Sequence, residues 1–173
     1  MAATSPPSAS GRVGSQPAGA WAWLVATFFG VGQLPLAPGT WGSAAAVLLW
    51  WIVSRWITVW WQAGTVMGLA VLATLVGIPA ATRVERETGR KDPQFVVIDE
   101  VAGQLIALIA VPVFWKSLLT GFILFRVFDT LKPPPVRQLE RLPEGAGIVV
   151  DDIGAGLYAL AVMQALLHFG VWK

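Results

Sequence analysis

The chain contains no cysteine, one histidine and one tyrosine in 173 residues. The missing cysteines exclude disulfide frameworks, thiolate nucleophiles and thiolate-ligated zinc. The lone His168 is too little for any site that needs two imidazoles. Charge is scarce as well: 13% of residues are charged, and 12 basic against 10 acidic residues leave a formal net charge of +2. So small a surplus carries no electrostatic footprint of a nucleic-acid partner. Apolar residues fill the space instead, with 55% of the chain hydrophobic and a mean hydropathy of +0.65. A soluble domain keeps about a quarter of its residues charged, so this balance predicts an integral membrane protein.

Residues 1–20 are rich in Pro, Ser, Gly and Ala and hold no apolar run able to act as a signal-peptide core, which predicts a disordered tail. A single arginine there, Arg12, is poor support for an organelle transit peptide. Residues 21–173 predict one membrane-embedded domain: an all-α polytopic bundle of about four spanning helices plus an N-terminal re-entrant or interfacial helix. Trp21 to Ser43 is broken by Pro35, Pro38 and Gly39 before it reaches the roughly 20 apolar residues of a span. Ser43 to about Trp61 predicts a span in which Arg55 snorkels to the far interface. Gly64 to Ala81 predicts another, Phe95 to Phe114 a third long stretch, and Ile148 to Val171 the last. Leu118 to Leu131 is shorter and is stopped by Pro133, Pro134 and Pro135, which cannot continue a helix. Trp115 to Ser117 reads as a tight turn, and Thr82–Gln94 and Val136–Gly147 as polar loops, the first a solvated run of alternating charge.

On this topology Arg12, Arg83, Arg86, Arg90, Lys91, Lys132, Arg137 and Arg141 share one side, which is predicted to be cytoplasmic. Arg55, Lys116 and Lys173 fall on the other. Trp56, Trp60, Trp61, Trp115 and Trp172 gather at that second interface as an aromatic belt would, and His168 lies near it as a packed or lipid-facing side chain.

The same topology brings Asp99, Glu100, Asp129, Asp151 and Asp152 to one depth on the cytoplasmic side. An acid in a membrane is costly unless paired or metal-bound. Oxygen ligands from separate helices suit Mg²⁺, which takes one or two carboxylates and leaves room for water and phosphate. Arg126, Lys132 and Arg137 stand close enough in sequence to clamp phosphate charge. In "PGTWGS", Gly39 and Gly42 allow backbone amides to approach an anion, and Thr40 or Ser43 is placed to cap the helix that begins there. Each element has a plainer use: first-turn acids complement a helix dipole, and Arg126 with Asp129 has the spacing of an i,i+3 pair. Their coincidence points to phosphoryl chemistry.

Three stretches together, "LPLAPGTWGSAAA", "VVIDEVAGQ" and "FRVFDTLKPPPVRQLE" followed by "GIVVDDIGAGLYA", closely resemble the phosphatidylglycerophosphatase A family from about Trp23 onward. The resemblance implies a Mg²⁺-dependent, multi-pass enzyme of the bacterial inner membrane, with its active site on the cytoplasmic side. It would remove the terminal phosphate of phosphatidylglycerophosphate to give phosphatidylglycerol. Carried over by motif are Asp99, Glu100, Asp129, Asp151, Asp152, Arg126, Lys132, Thr40, Gly42 and Ser43. Chemistry then assigns Asp99, Glu100, Asp129 and Asp152 to the metal. Glu100, Asp129, Asp151, Arg126 and Lys132 are assigned to catalysis, and Thr40, Gly42, Ser43 and Arg137 to phosphate. Alternatives are action on another lipid phosphate, or a small cation transporter, against which stands the gathering of all five acids at one face. The expected partners are the lipid substrate and membrane lipids; small residues at Ala44 to Ala46 permit a homo-oligomer without indicating one.

Overall fold

The computed structural model describes residues 17–139 and 142–171. Among them the fold is all-helical: α1 (Gly19–Ala26), a 3-10 turn (Val31–Gln33), α2 (Pro38–Ser54), α3 (Val59–Thr88), α4 (Ile98–Ala107), α5 (Trp115–Leu131), α6 (Val136–Leu139) and α7 (Glu144–His168). Arg12, Arg141, Trp172, Lys173 and most of the expected tail lie outside the described residues. Gly19 and Ala20, expected at the end of that tail, instead open α1.

A short, almost wholly buried helix organises the rest. α4 has ten residues, nine of them buried, and α2, α3, α5 and α7 all pack against it. At about 1.5 Å per residue it is roughly half as long as a bilayer core is thick. The expected span Phe95–Phe114 is therefore not one helix. Beyond Leu108 the chain turns through Ala110 at φ +56 and Pro112, and Trp115 to Ser117, expected as a turn, form the first turn of α5. Among the described residues two helices, α3 with 30 residues and α7 with 25, are long and apolar enough to cross a membrane. Met67, Val71 and Leu75, at helical spacing along α3, are each more than half exposed, so this face is apolar with no protein against it. The expected count of about four spans is not reached by this measure, because α2 and α5 stop at 17 residues.

The polar stretches also fold differently from expectation. Thr82–Thr88 continue α3, which ends only where Gly89 takes a left-handed φ of +64. Their charges are used rather than merely solvated. Arg86 donates from Nε and Nη2 to Glu144 at 2.8 and 2.7 Å. Glu87 Oε2 accepts from the Ala18 amide at 2.7 Å and from Trp23 Nε1 at 3.0 Å, while Arg83 lies over the Trp21 ring at 4.7 Å. This end of α3 thereby ties down α1 and the start of α7. Glu144, expected in a loop, is already helical.

One close approach places the functional elements. A Cβ on Gly103 of α4 would stand 2.5 Å from the Asp152 carbonyl oxygen of α7, and a Cβ on Gly156 would stand 2.4 Å from that of Gly103. Only glycine on both helices lets the backbones touch in this way, as the small residues of α7 suggest.

Candidate active site

The start of α2, the start of α4, the end of α5 and the second turn of α7 converge. Asp99 and Glu100 stand in the first turn of α4, where a carboxylate complements the helix dipole. Through the Gly103–Gly156 contact α7 sets Asp152 beside them. One oxygen each from Asp99, Glu100 and Asp152 lies within 4.8 Å of the others. Asp99 and Asp152 are buried, and Asp99 Oδ1, Glu100 Oε2 and Asp152 Oδ2 have no hydrogen-bond partner.

Basic groups stand to one side of this trio. Arg126 Nη1 contacts Asp129 Oδ2 at 2.9 Å and donates to Ser43 Oγ at 3.5 Å; the Ser43 hydroxyl in turn donates to the Gly39 carbonyl at 2.9 Å. Lys132, at φ +42 where the prolines end α5, reaches back with Nζ 2.6 Å from Asp151 Oδ2. Asp151 Oδ1 accepts the Asp152 amide at 3.0 Å, so the lysine and the trio are linked through adjacent residues. Within the acid set Asp129 and Asp151 hold basic partners and Asp99, Glu100 and Asp152 face one another, while Asp129, expected at the metal, also reaches Asp152 through a side-chain hydrogen bond and so borders the trio.

A cavity of about 280 Å³ opens here, lined among others by Thr40, Asp92, Gln94, Glu100 and Arg126. Gly39 forms part of its wall so tightly that a Cβ would lie 2.1 Å from Glu100 Oε1 and 3.2 Å from Arg126 Nη1. Gly42 has another neighbour, since its Cβ would meet the Val97 side chain at 2.8 Å. Thr40 and Ser43 do not cap α2: the helix starts at Pro38 with no side-chain cap, and both residues lie inside its first turns. Arg137 is exposed on α6 and is not among the residues lining the cavity, with no hydrogen bond or ion pair to the described acids. His168 is exposed at the opposite end of α7. Sequence reasoning passed over Asp92 and Gln94, which had seemed part of a solvated loop and which only the fold turns toward Glu100.

The donor set is that of a hard divalent cation. Three facing carboxylates with orphaned oxygens repel one another in a largely buried setting, and their oxygens match the ligand preference of Mg²⁺. An anion would find Arg126, Lys132 and the amides at the start of α2 beside it.

Comparison with known proteins identifies the family. The family model described as Phosphatidylglycerophosphatase A matches residues 24–167. A Bacteroides thetaiotaomicron protein named as a candidate phosphatidylinositol-3-phosphatase is 38% identical over 147 residues, covering 81% of this chain and 89% of the relative. Proteins named phosphatidylglycerophosphatase A from Haemophilus influenzae and Escherichia coli are 36% and 33% identical, covering 84% of this chain and 88% and 83% of themselves. No solved structure matches.

Proposed function

This chain belongs to the phosphatidylglycerophosphatase A family, and from that premise we propose that it hydrolyses the terminal phosphate of phosphatidylglycerophosphate, releasing phosphatidylglycerol and inorganic phosphate. It is a phosphoric monoester hydrolase of a lipid phosphatase family. The observation that carries this reading is the trio of buried Asp99 and Asp152 with partly exposed Glu100, beside Arg126.

Asp99, Glu100 and Asp152 would hold Mg²⁺, which when bound polarises the phosphoryl group and acidifies a water. Arg126 offers a planar fork to the phosphoryl oxygens and Lys132 a point charge, so that negative charge gathering there is met. Asp129 holds the Arg126 guanidinium in place. Of the three trio acids Glu100 alone lines the cavity. It orients the attacking water and takes its proton as the water oxygen bonds to phosphorus. The ester P–O bond breaks, the leaving glycerol oxygen takes a proton from solvent, and Glu100 returns its own to solvent, so that the step balances. Thr40 and the α2 amides seat the phosphate. The substrate's acyl chains keep to the apolar faces, so a multi-pass protein in a bacterial inner membrane with this end cytoplasmic fits the placement of Arg83, Arg86, Arg90 and Lys91.

Phosphate release from phosphatidylglycerophosphate, measured with Mg²⁺ and with chelator, tests substrate and metal together. Including phosphatidate and phosphatidylinositol 3-phosphate tests headgroup choice, the latter because of the 38% identical relative. Equal rates on all three would remove the substrate assignment. A single turnover in ¹⁸O-water distinguishes direct attack, which labels phosphate, from an aspartyl-phosphate route, which labels an enzyme carboxylate.

A further inference from the structure

The proposed chemistry leaves one buried polar group on α4 unused. Gln104 is 0% exposed, and neither its Oε1 nor its Nε2 has a hydrogen-bond partner. An amide buried in this way is costly, and Leu or Met would fill the same space at no such cost. A residue kept against stability points to a task.

Its position indicates which task. Gln104 follows Glu100 by four residues, so the two share a face of α4, and helical side chains lean toward the N-terminus, which carries the Gln104 amide toward the Glu100 turn. On that face Glu100 meets Gly39 and lines the cavity with Arg126. Glu100 Oε2 is itself buried and has no partner. A donor in need of an acceptor and an acceptor in need of a donor thus stand one helical turn apart.

We propose that Gln104 is a positioning residue that holds the Glu100 carboxylate from below. It would do so once a bound cation draws the Glu100 carboxylate into place, Nε2–H then donating to Oε2, a bond that this structure does not contain, and so would fix how Glu100 faces Asp99 and Asp152. The assignment rests on those three acids taking a divalent cation. Groups that orient a ligand carboxylate usually matter about tenfold or more for metal affinity.

The test uses the full chain purified in detergent, with Mn²⁺ as the probe of an oxygen-ligand site. Mn²⁺ binding by electron paramagnetic resonance and the metal-free melting temperature are measured for wild type, Gln104→Met, Gln104→Leu and Gln104→Asn. Expected is an Mn²⁺ dissociation constant raised about tenfold in the Met and Leu variants, with metal-free melting unchanged or higher because an orphaned amide is gone. Asn, which keeps the amide, recovers part of the affinity, and KM for lipid stays within about twofold of wild type in all three variants. Wild-type affinity in Gln104→Met, with or without a higher melting temperature, overturns the proposal while leaving the cation site standing. Affinity lost only in step with melting temperature, without recovery in Asn, also overturns it. Absence of Mn²⁺ binding in wild type removes the cation site and this role together.

Discussion

Arg126 and Asp129 share an i,i+3 ion pair, and the pair has two readings that one substitution separates. As a helix-end fitting, it would contribute a few tenths of a kcal/mol at most. As the holder of the phosphate fork, Asp129 matters to turnover, and Asp129→Asn is expected to lower kcat by roughly a hundredfold with membrane insertion and melting little changed. Gly39→Ala is expected to act through its neighbour. The new methyl would lie 2.1 Å from Glu100 Oε1, the mobile end of a side chain, so Glu100 yields and the backbone stays. Alanine also suits a helix better by about 0.5–1 kcal/mol, so melting should hold while activity falls at least about tenfold. Lys132 and Asp151 form a different pair, with Asp151 only 5% exposed in its side chain. Lys132→Met removes a partner from a buried charge and should cost up to about 3 kcal/mol. Adding Asp151→Asn should restore part of that loss, as a double-mutant cycle in thermal unfolding would show.

At the scale of helices, the site depends on α4 and α7 touching. Their contact is glycine against backbone, with a Gly156 Cβ placed 2.4 Å from the Gly103 carbonyl oxygen, and neither side has a flexible group that can retreat. Gly156→Ala should therefore cost about 1–3 kcal/mol in thermal unfolding and also lower activity, because any separation moves Asp152 from Asp99. Gly39→Ala, by contrast, should affect activity alone, and comparison of the two distinguishes a packing contact from a cavity wall. The charged end of α3 shows why charge runs mislead. Arg86 and Glu87 look like loop residues by composition, yet one meets Glu144 of α7 and the other the Ala18 amide and Trp23 indole.

For the molecule as a whole, the three mutually facing acids weigh against stability, and the proposed cation would relieve that repulsion. A cation that binds the folded state and not the unfolded chain stabilises by mass action. Mg²⁺ at about a hundred times its dissociation constant should add about 2.7 kcal/mol, visible as a higher melting temperature that chelator reverses. Asp99→Asn should lose most of this response and, if anything, melt higher without metal, because one repelling charge is removed.

Membrane character, helical class and the family follow from local properties of the chain. Hydropathy is a sum over neighbours, proline stops are local, and the motifs around Asp99, Asp129 and Asp151 stand in contiguous stretches. The gathering of acids at one end was also legible, since alternating direction of successive apolar segments brings their ends together. Partnership was not. That Asp152 joins Asp99 and Glu100 while Asp151 turns to Lys132 depends on side-chain direction on α7, and adjacent residues in a helix differ by about 100°. Helix extent was equally out of reach: α4 stops after ten residues and α3 runs on to Thr88 because of what each packs against. Burial of Gln104 and the turn of Asp92 and Gln94 toward Glu100 arise from contacts between segments far apart in the chain, and such contacts exist only once the helices have assembled.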